Sequence, residues 1–223
     1  DDDLTRFRAA RFEANRRAGL AKPIALQVAE TFAFLKSLET GEHPLRVVDF
    51  GGADGAFFDQ ARRSGVTLDG TVVEALGLVS ALSPECREAA TFVDVLPDDF
   101  DVFYTVCALN YVPDPYEIVD LAFARARKAV VFQRNCLSNV ELFGLQRSTL
   151  HSNGWGLVPP GRPDRIVAYP HRTLLPDRLL EAATRANFRL VKISNNRTGV
   201  IGGPRTDMYG VDLYFVRTVH ADI

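Results

Sequence analysis

Arg46-Val47-Val48-Asp49-Phe50-Gly51-Gly52-Ala53-Asp54-Gly55-Ala56-Phe57-Phe58 is the stretch that does most to specify the fold of this chain. Its two valines are β-branched and favour a buried strand. Its three glycines allow backbone conformations that other residues rarely adopt, so a ligand can approach the main chain closely. The pattern therefore predicts a strand, a ligand-binding turn and the start of a helix.

The spacing of the glycines separates three kinds of ligand-binding turn. A phosphate-binding P-loop requires G-x-x-x-x-G-K-[ST], and no Lys followed by Ser or Thr comes after Gly55. The dinucleotide fingerprint G-x-G-x-x-G is matched poorly, because Ala53 and Ala56 stand where its second and third glycines belong. What remains is Asp49 at the strand end, followed by D-x-G-x-x-x-G. This pattern resembles motif I of the class I methyltransferases that use S-adenosylmethionine (SAM), with Ala53 in place of the usual middle glycine.

Length and charge narrow the class of ligand. The 223 residues are enough for one α/β domain with a full core. The net charge of −2 gives no field that would draw the chain to nucleic acid or to an anionic membrane. No apolar run approaches the roughly 20 residues of a membrane span, and no signal segment opens the chain. We expect a cytoplasmic protein with a small-molecule substrate and no nucleic-acid or membrane partner, and we leave a homo-oligomer open.

The cysteines and histidines show no metal-binding spacing. Cys86, Cys107 and Cys136 are odd in number and form no C-x-x-C pair, which favours buried, reduced thiols over a zinc site or a disulfide framework. The four histidines are scattered along the chain. We predict no metal.

The N-terminal segment, residues 1–44, is predicted to form a helical cap ahead of the main domain at 45–223. Residues 4–17 suit a helix with apolar residues on one side. We expect its arginines to form a solvated face: Arg6, Arg8, Arg11, Arg16 and Arg17. A second helix is expected to begin at Pro23, a residue suited to a first helical position, and to run through Leu38.

Two acidic residues follow the next predicted strands. Glu74 ends a strand about twenty residues after the glycines, where a carboxylate can accept hydrogen bonds from both ribose hydroxyls. Dehydrogenases share this device, so Glu74 leaves NAD and SAM both open. The stretch 91–97 predicts a short third strand with Asp94 at its exit. The methyltransferase resemblance implies that Asp94 binds the adenine amino group and that the backbone of Val95 faces the ring; a turn-forming Asp is the equal alternative.

Residues 100–115 carry the second informative pattern. An apolar, β-rich run predicts a central parallel strand, and Asp114-Pro115-Tyr116-Glu117 predicts a helix N-terminus with a capping box. The stretch resembles a segment of many SAM methyltransferases whose loop borders the methionine part of the cofactor and the substrate. That resemblance implies cofactor contacts from Cys107, Ala108 and Asn110.

The remaining elements complete the fold prediction. A fifth strand is expected at 128–135, a helix at 176–187 and strands at 189–194 and 211–216. Residues 137–170 contain too many Gly and Pro residues for long regular elements, and we interpret them as a substrate-facing insertion. The order predicts an α/β, doubly wound, Rossmann-like fold. It has a seven-stranded, mostly parallel sheet with one antiparallel strand, helices on both faces and N-terminal helices.

The closest resemblance is to a poorly characterised group of bacterial methyltransferases with a D-F-G-G motif. It covers most of residues 45–216, including Val48-Asp49-Phe50-Gly51-Gly52 and Leu109-Asn110-Tyr111-Val112. The resemblance implies SAM as cofactor and, loosely, a place in polysaccharide or secondary-metabolite biosynthesis. For the cofactor it implies close backbone approach at Gly51, Gly52 and Gly55, with Asp49 near the methionine ammonium.

The acceptor residues are open to more than one interpretation. Methyl transfer depends chiefly on positioning, but a hydroxyl or protonated amine acceptor can need a base. Histidine is the residue type that titrates nearest neutral pH, which makes His151 and His171 the candidates; a structural role is the commoner one for a lone histidine. The residues expected to line the acceptor site are Tyr111, Arg134, Trp155 and Tyr169, and Arg205 is a further candidate for an anion clamp. We predict a methyltransferase for a small polar acceptor, with oxygen weakly favoured over nitrogen. A catalytically silent SAM-fold binding or regulatory protein and an NAD-dependent oxidoreductase are the alternatives.

Overall fold

A computed structural model describes residues 2–39, 41, 43–195 and 208–218. The strands are β1 Leu45–Phe50, β2 Leu68–Val73, β3 Thr91–Val93, β4 Phe100–Val106, β5 Ala126–Ser138, β6 Phe143–Thr149, β7 Ile166–Arg172, β8 Phe188–Asn195 and β9 Met208–Arg217. The α-helices are α1 Asp2–Arg17, α2 Leu26–Ser37, α3 Ala56–Arg63, α4 Leu76–Ala81, α5 Pro115–Arg125 and α6 Pro176–Arg185. In the part of the chain that is described, no helix has the length and apolar character needed to span a membrane.

Seven strands form one sheet in the order β3-β2-β1-β4-β5-β9-β8, and β6 pairs with β7 in a separate two-stranded sheet. The strands from β3 to β5 run parallel where their register is resolved, and β9 runs antiparallel to both β5 and β8. The prediction of a Rossmann-like α/β fold with one antiparallel strand is confirmed. The strand order reverses between β1 and β4, and ligands of such sheets bind beyond the carboxyl ends of the strands at this switch point.

The chain divides into two compact units. The first comprises Asp1–Leu45, Gly51–Leu96 and Leu145–Pro170. Its core joins α1 to α4 through a buried cluster: Ala9, Phe12, Leu78, Leu82 and Cys86. The second comprises Arg46–Phe50, Pro97–Gly144 and His171–Ile223. Its core contains phenylalanine rings in edge contact, with 5.2 Å between the centroids of Phe123 and Phe215 and 5.8 Å between those of Phe123 and Phe132.

The start of α5 has the predicted Asp114 N-cap, which is half of the predicted capping box. The Asp114 side chain accepts hydrogen bonds from the backbone N–H groups of Tyr116 and Glu117, both at 3.2 Å. Pro115 occupies the first helical position. These bonds satisfy N–H groups that a helix N-terminus leaves without partners.

Two predicted elements differ in extent or regularity. The second helix begins at Leu26 and not at Pro23, because residue 25 is extended and the Pro23 carbonyl accepts a hydrogen bond from the Gln60 side chain at 2.7 Å. The third strand is short, Thr91–Val93, with Asp94 at its exit as predicted. The insertion is not irregular throughout, since β5 extends to Ser138 and both β6 and β7 lie in or beside it.

The expectation of a solvated arginine face on α1 was also wrong for Arg11, which is 6% exposed. Its guanidinium donates hydrogen bonds to the carbonyls of His151 at 2.6 Å, Trp155 at 2.9 Å and Gly156 at 2.8 Å. A buried guanidinium needs such partners, because an unsatisfied charged donor is costly to desolvate. Arg11 therefore holds part of the insertion against α1.

Candidate active site

The turn between β1 and α3 has a left-handed backbone at three alternate residues. Gly51, Ala53 and Gly55 all have positive φ, at 75°, 57° and 70°. A Cβ atom added at Gly55 would lie 3.3 Å from the Phe92 ring. The Gly55 N–H donates to the Gly52 carbonyl at 3.0 Å, which closes the turn. Ala53 thus adopts the left-handed conformation of the glycine that it replaces in the resembled motif.

The ends of β2 and β3 lie beside this turn in the first unit. The Gly51 N–H donates to the Val73 carbonyl at 2.8 Å, and the Glu74 N–H donates to the Val93 carbonyl at 3.0 Å. Glu74 and Asp94, which come next in the chain, therefore emerge at neighbouring strand ends. The carboxylates are acceptors for hydroxyl or amino groups of a ligand.

Two exposed apolar side chains accompany these carboxylates. Leu76 is 61% exposed and Val95 is 70% exposed, although both are large hydrophobic residues. An apolar side chain next to a hydrogen-bonding carboxylate suits a ligand with a flat apolar ring and polar edges. The arrangement fits a nucleoside at the carboxyl ends of β2 and β3.

Glu74 already has partners within the protein. Its Oε1 lies 3.5 Å from Nη2 of Arg8 on α1, and its Oε2 accepts the N–H of Ala75 at 2.9 Å. The Glu74 side chain is 11% exposed, whereas that of Arg8 is 33% exposed. Sequence reasoning missed this role of Arg8. No local pattern marks this role, because Arg8 and Glu74 are 66 positions apart in the sequence.

A pocket of about 260 Å³ lies next to the glycine turn in the first unit. Its lining includes Phe12, Lys22, Asp54, Arg63 and Trp155. Burial raises the pKa of the Asp54 carboxyl, and the Lys22 ammonium and the Trp155 indole partly offset that effect. Trp155 was predicted to bind substrate, whereas Asp54 and Lys22 were not singled out. The pocket offers a ring surface together with both signs of charge.

His151 is held by its own segment. Its Nε2 lies 2.8 Å from the Arg162 carbonyl oxygen, and its ring stacks on Phe7 with 5.9 Å between centroids and 12° between planes. Its Nδ1 lies 4.0 Å from a carboxylate oxygen of Asp164. These contacts give the ring a structural function in the insertion.

Tyr169 belongs to a polar network in the insertion. Its hydroxyl lies 3.2 Å from the side chains of both Gln146 and Ser148, and it donates to Asn153 Oδ1 at 3.4 Å. The side chain is half-buried. Tyr169 is therefore fixed in position by three neighbours of the same segment.

In the second unit, a residue just after β4 and a residue within β5 have positive φ. Cys107 has φ 58° after β4, and Arg134 has φ 53° within β5. The Cys107 thiol donates to the Arg134 carbonyl at 2.9 Å, and the Arg134 N–H donates to Asp212 Oδ1 at 2.9 Å. Burial raises the pKa of the Cys107 thiol. Strained backbone that is held by such bonds is typical of functional sites. In the same unit, Asp49 at the end of β1 is 4% exposed.

Asn110 is 2% exposed and its amide is fully engaged. It donates to the carbonyls of Cys136 at 3.0 Å and Arg172 at 2.7 Å, and its oxygen accepts the Cys136 N–H at 2.9 Å. These bonds fix the short 3-10 turn Leu109–Tyr111 against β5 and β7. A ligand contact from Asn110 would therefore come from its backbone, whereas the Tyr111 side chain in the same turn is 40% exposed.

His171 lies beside Tyr111, with 5.4 Å between ring centroids and 62° between planes. Burial lowers the pKa of His171, which favours the neutral ring at neutral pH. Its Nε2 is buried and has no hydrogen-bond partner among the described residues. A neutral imidazole with a free nitrogen can accept a proton. Arg205, the other candidate for an anion clamp, lies outside the described residues.

Comparison with known proteins identifies the fold class. No family model and no curated protein matches the sequence. Solved structures do match, among them SAM-dependent methyltransferases. The chain has the Rossmann-like methyltransferase fold, and at identities below one fifth the likeness extends to the fold alone.

Three of these structures cover nearly the whole chain. A methyltransferase from Clostridium acetobutylicum is 9% identical over 88% of this chain and 93% of its own, with a TM-score of 0.57. CalS10, an amino pentose methyltransferase from Micromonospora echinaspora solved with SAM, is 14% identical over 93% of this chain and 96% of its own, with a TM-score of 0.55. Magnesium protoporphyrin IX methyltransferase from Synechocystis was solved with S-adenosylhomocysteine (SAH). It is 15% identical over 98% of this chain and 100% of its own, with a TM-score of 0.54.

Proposed function

We propose that this chain is a SAM-dependent methyltransferase that acts on a small polar acceptor. The observation that carries the proposal is the pair of backbone hydrogen bonds from Gly51 to Val73 and from Glu74 to Val93. These bonds bring the glycine turn and two carboxylates to one edge of the first unit. The fold is similar to proteins whose structures contain SAM or SAH.

The residues of the first unit fit the adenosine part of SAM. Glu74 accepts hydrogen bonds from the ribose hydroxyls, and Asp94 accepts one from the adenine amino group. Leu76 and Val95 cover the apolar ring faces, and the backbone of the glycine turn permits close approach. The cofactor roles of Asp49, Gly52, Cys107, Ala108 and Asn110 remain predictions from the sequence.

SAM, when bound, supplies a methyl group on a sulfonium to an attacking nucleophile. The protein's main contribution to such a transfer is to hold the acceptor in a near-attack position. We propose His171 rather than His151 as the base, because burial lowers the pKa of His171 and its Nε2 has no hydrogen-bond partner among the described residues, whereas the His151 ring is bonded to its own segment. Such a base serves a hydroxyl or a protonated amine acceptor, and we propose the hydroxyl.

The acceptor class is also a proposal. Trp155 and Tyr169 of the first unit and Tyr111 and Arg134 of the second are each of a type that binds polar molecules, and their acceptor roles remain predictions from the sequence. The fold likeness to an amino pentose methyltransferase is compatible with an acceptor from secondary-metabolite or polysaccharide biosynthesis.

Calorimetric titration with SAH, SAM and NAD tests the proposal, with Glu74→Gln as the key variant. We expect the wild type to bind SAH or SAM but not NAD. Glu74→Gln should weaken SAH binding by about 1–3 kcal/mol, because it removes charge-assisted hydrogen bonds to the ribose. Asp69→Asn, at an exposed position of β2, is the control and should bind SAH like the wild type.

The other outcomes separate the alternatives. Binding of NAD without SAH would point to an oxidoreductase and would overturn the methyltransferase assignment. Binding of SAH without turnover of SAM in the presence of any of a panel of small hydroxyl and amino acceptors would favour the silent binding protein.

A further inference from the structure

Helix α1 covers the proposed nucleoside site at three successive points. Arg8 contacts Glu74, and Ala9 and Phe12 belong to the cluster that packs against Ala53 and Phe92. Ala53 lies in the glycine turn and Phe92 in β3, so the cluster that contains these α1 residues packs beside both. All of these residues belong to the first unit.

Glu74 has a donor on each of its carboxylate oxygens before any ligand binds. Arg8 Nη2 lies 3.5 Å from Oε1, and the Ala75 N–H lies 2.9 Å from Oε2. The Ala75 bond is local and leaves a second lone pair on Oε2. The Arg8 contact is different, because it places a cation where a ribose hydroxyl would need to approach.

We propose that Arg8 is an internal counter-ion of Glu74 that competes with a nucleoside ribose and sets the affinity of the site. This inference rests on the proposed function only in that Glu74 binds a ribose. A ligand with a free cis-diol displaces the guanidinium and takes over its hydrogen bond. The affinity for SAM or SAH is therefore lower than it would be at the same site without Arg8.

The structure allows Arg8 to leave without moving α1. Arg11, one turn further along, is buried and bonded to the insertion, so it anchors the helix. Arg8 is one-third exposed and has solvent into which it can turn. A partly exposed ion pair of this kind contributes little free energy, which makes displacement by a ligand feasible.

Titration of Arg8→Gln with SAH tests the competition. We expect Arg8→Gln to bind SAH about two- to fivefold more tightly than the wild type, the range released by losing a partly exposed ion pair. SAH has no net charge, so its own binding depends little on salt. Wild-type affinity should therefore rise between about 0.05 M and about 0.5 M KCl, as salt screens Arg8 from Glu74, while that of Arg8→Gln should not.

Two further variants keep the test specific to charge at this position. Arg8→Lys retains the cation and should keep the wild-type affinity and salt dependence. Arg17→Gln removes an exposed arginine of the same helix, paired with Glu13, and should change neither. If Arg8→Gln binds SAH with equal or lower affinity, or if Arg8→Lys behaves like Arg8→Gln, the competition is overturned. If neither the wild type nor Arg8→Gln binds SAH, the proposed function fails as well.

Discussion

At the scale of single residues, Ala53 shows how the glycine turn tolerates a departure from its motif. Its φ of 57° lies in the left-handed region, which costs a non-glycine residue roughly 1–2 kcal/mol. Its methyl group packs against the cluster that contains Ala9 and Phe12. This contact offsets part of the strain and explains how alanine can occupy the position.

Ala53→Gly should therefore stabilise the protein. We expect the free energy of unfolding to rise by about 0.5 kcal/mol, because relief of the strained φ exceeds the lost methyl contact and the added freedom of the unfolded chain. Urea denaturation followed by circular dichroism measures the change. Ala29→Gly, at an exposed position of α2, is the matched control and should lower stability by about 1 kcal/mol. Equal losses in the two variants would show that Ala53 is unstrained.

At the scale of secondary-structure elements, α1 and residues 151–157 pack as one element within the first unit. Arg11 donates to carbonyls of this segment. Asn15 donates to the Trp155 carbonyl at 2.9 Å and accepts the Leu157 N–H at 2.7 Å. The proposed cover of the nucleoside site and part of the proposed acceptor site are thus joined by side chains of one helix.

Gly156→Ala tests this junction. A Cβ atom at residue 156 would lie 2.1 Å from Asn15 Oδ1, and its φ of 79° already disfavours alanine. We expect a loss of roughly 2–3 kcal/mol in the free energy of unfolding, from backbone strain and disrupted hydrogen bonds. Backbone amides of residues 151–157 should also exchange faster with deuterium.

Gly161→Ala separates the two causes of that loss. Its φ is 73°, but no atom lies within 4 Å of the added Cβ, so backbone strain alone applies. We expect a loss of about 1 kcal/mol and no faster exchange in residues 151–157. If Gly156→Ala costs no more than Gly161→Ala, the Asn15 contacts do not hold the insertion on α1.

At the scale of the whole molecule, the central sheet was predictable because its strands are short apolar runs with buried residues on both faces. Val102, Phe103 and Tyr104 of β4, for example, are at most 2% exposed. The glycine turn and the carboxylates at strand ends were predictable for a related reason. Their positions follow from where a parallel strand must end, and the cap of α5 follows from local hydrogen bonding.

The remaining features depend on contacts that local patterns do not encode. Strands β6 and β7 were missed because Phe143, Leu145 and Ile166 are 62–70% exposed, so no buried face marks these strands in the sequence. The start of α2 was misplaced because Gln60 of α3 holds the Pro23 carbonyl. Arg8 meets Glu74 across 66 positions of sequence, a pairing that no helix periodicity reveals.

A crystal structure of the protein with SAH tests the central claim most directly. The account predicts that the ribose hydroxyls bond to Glu74, the adenine lies between Leu76 and Val95 with its amino group on Asp94, and Arg8 is turned away from Glu74. SAH bound elsewhere, or an unchanged Arg8–Glu74 pair in a complex with SAH in the proposed site, would contradict it. The first result would refute the cofactor site, and the second would refute the competition by Arg8.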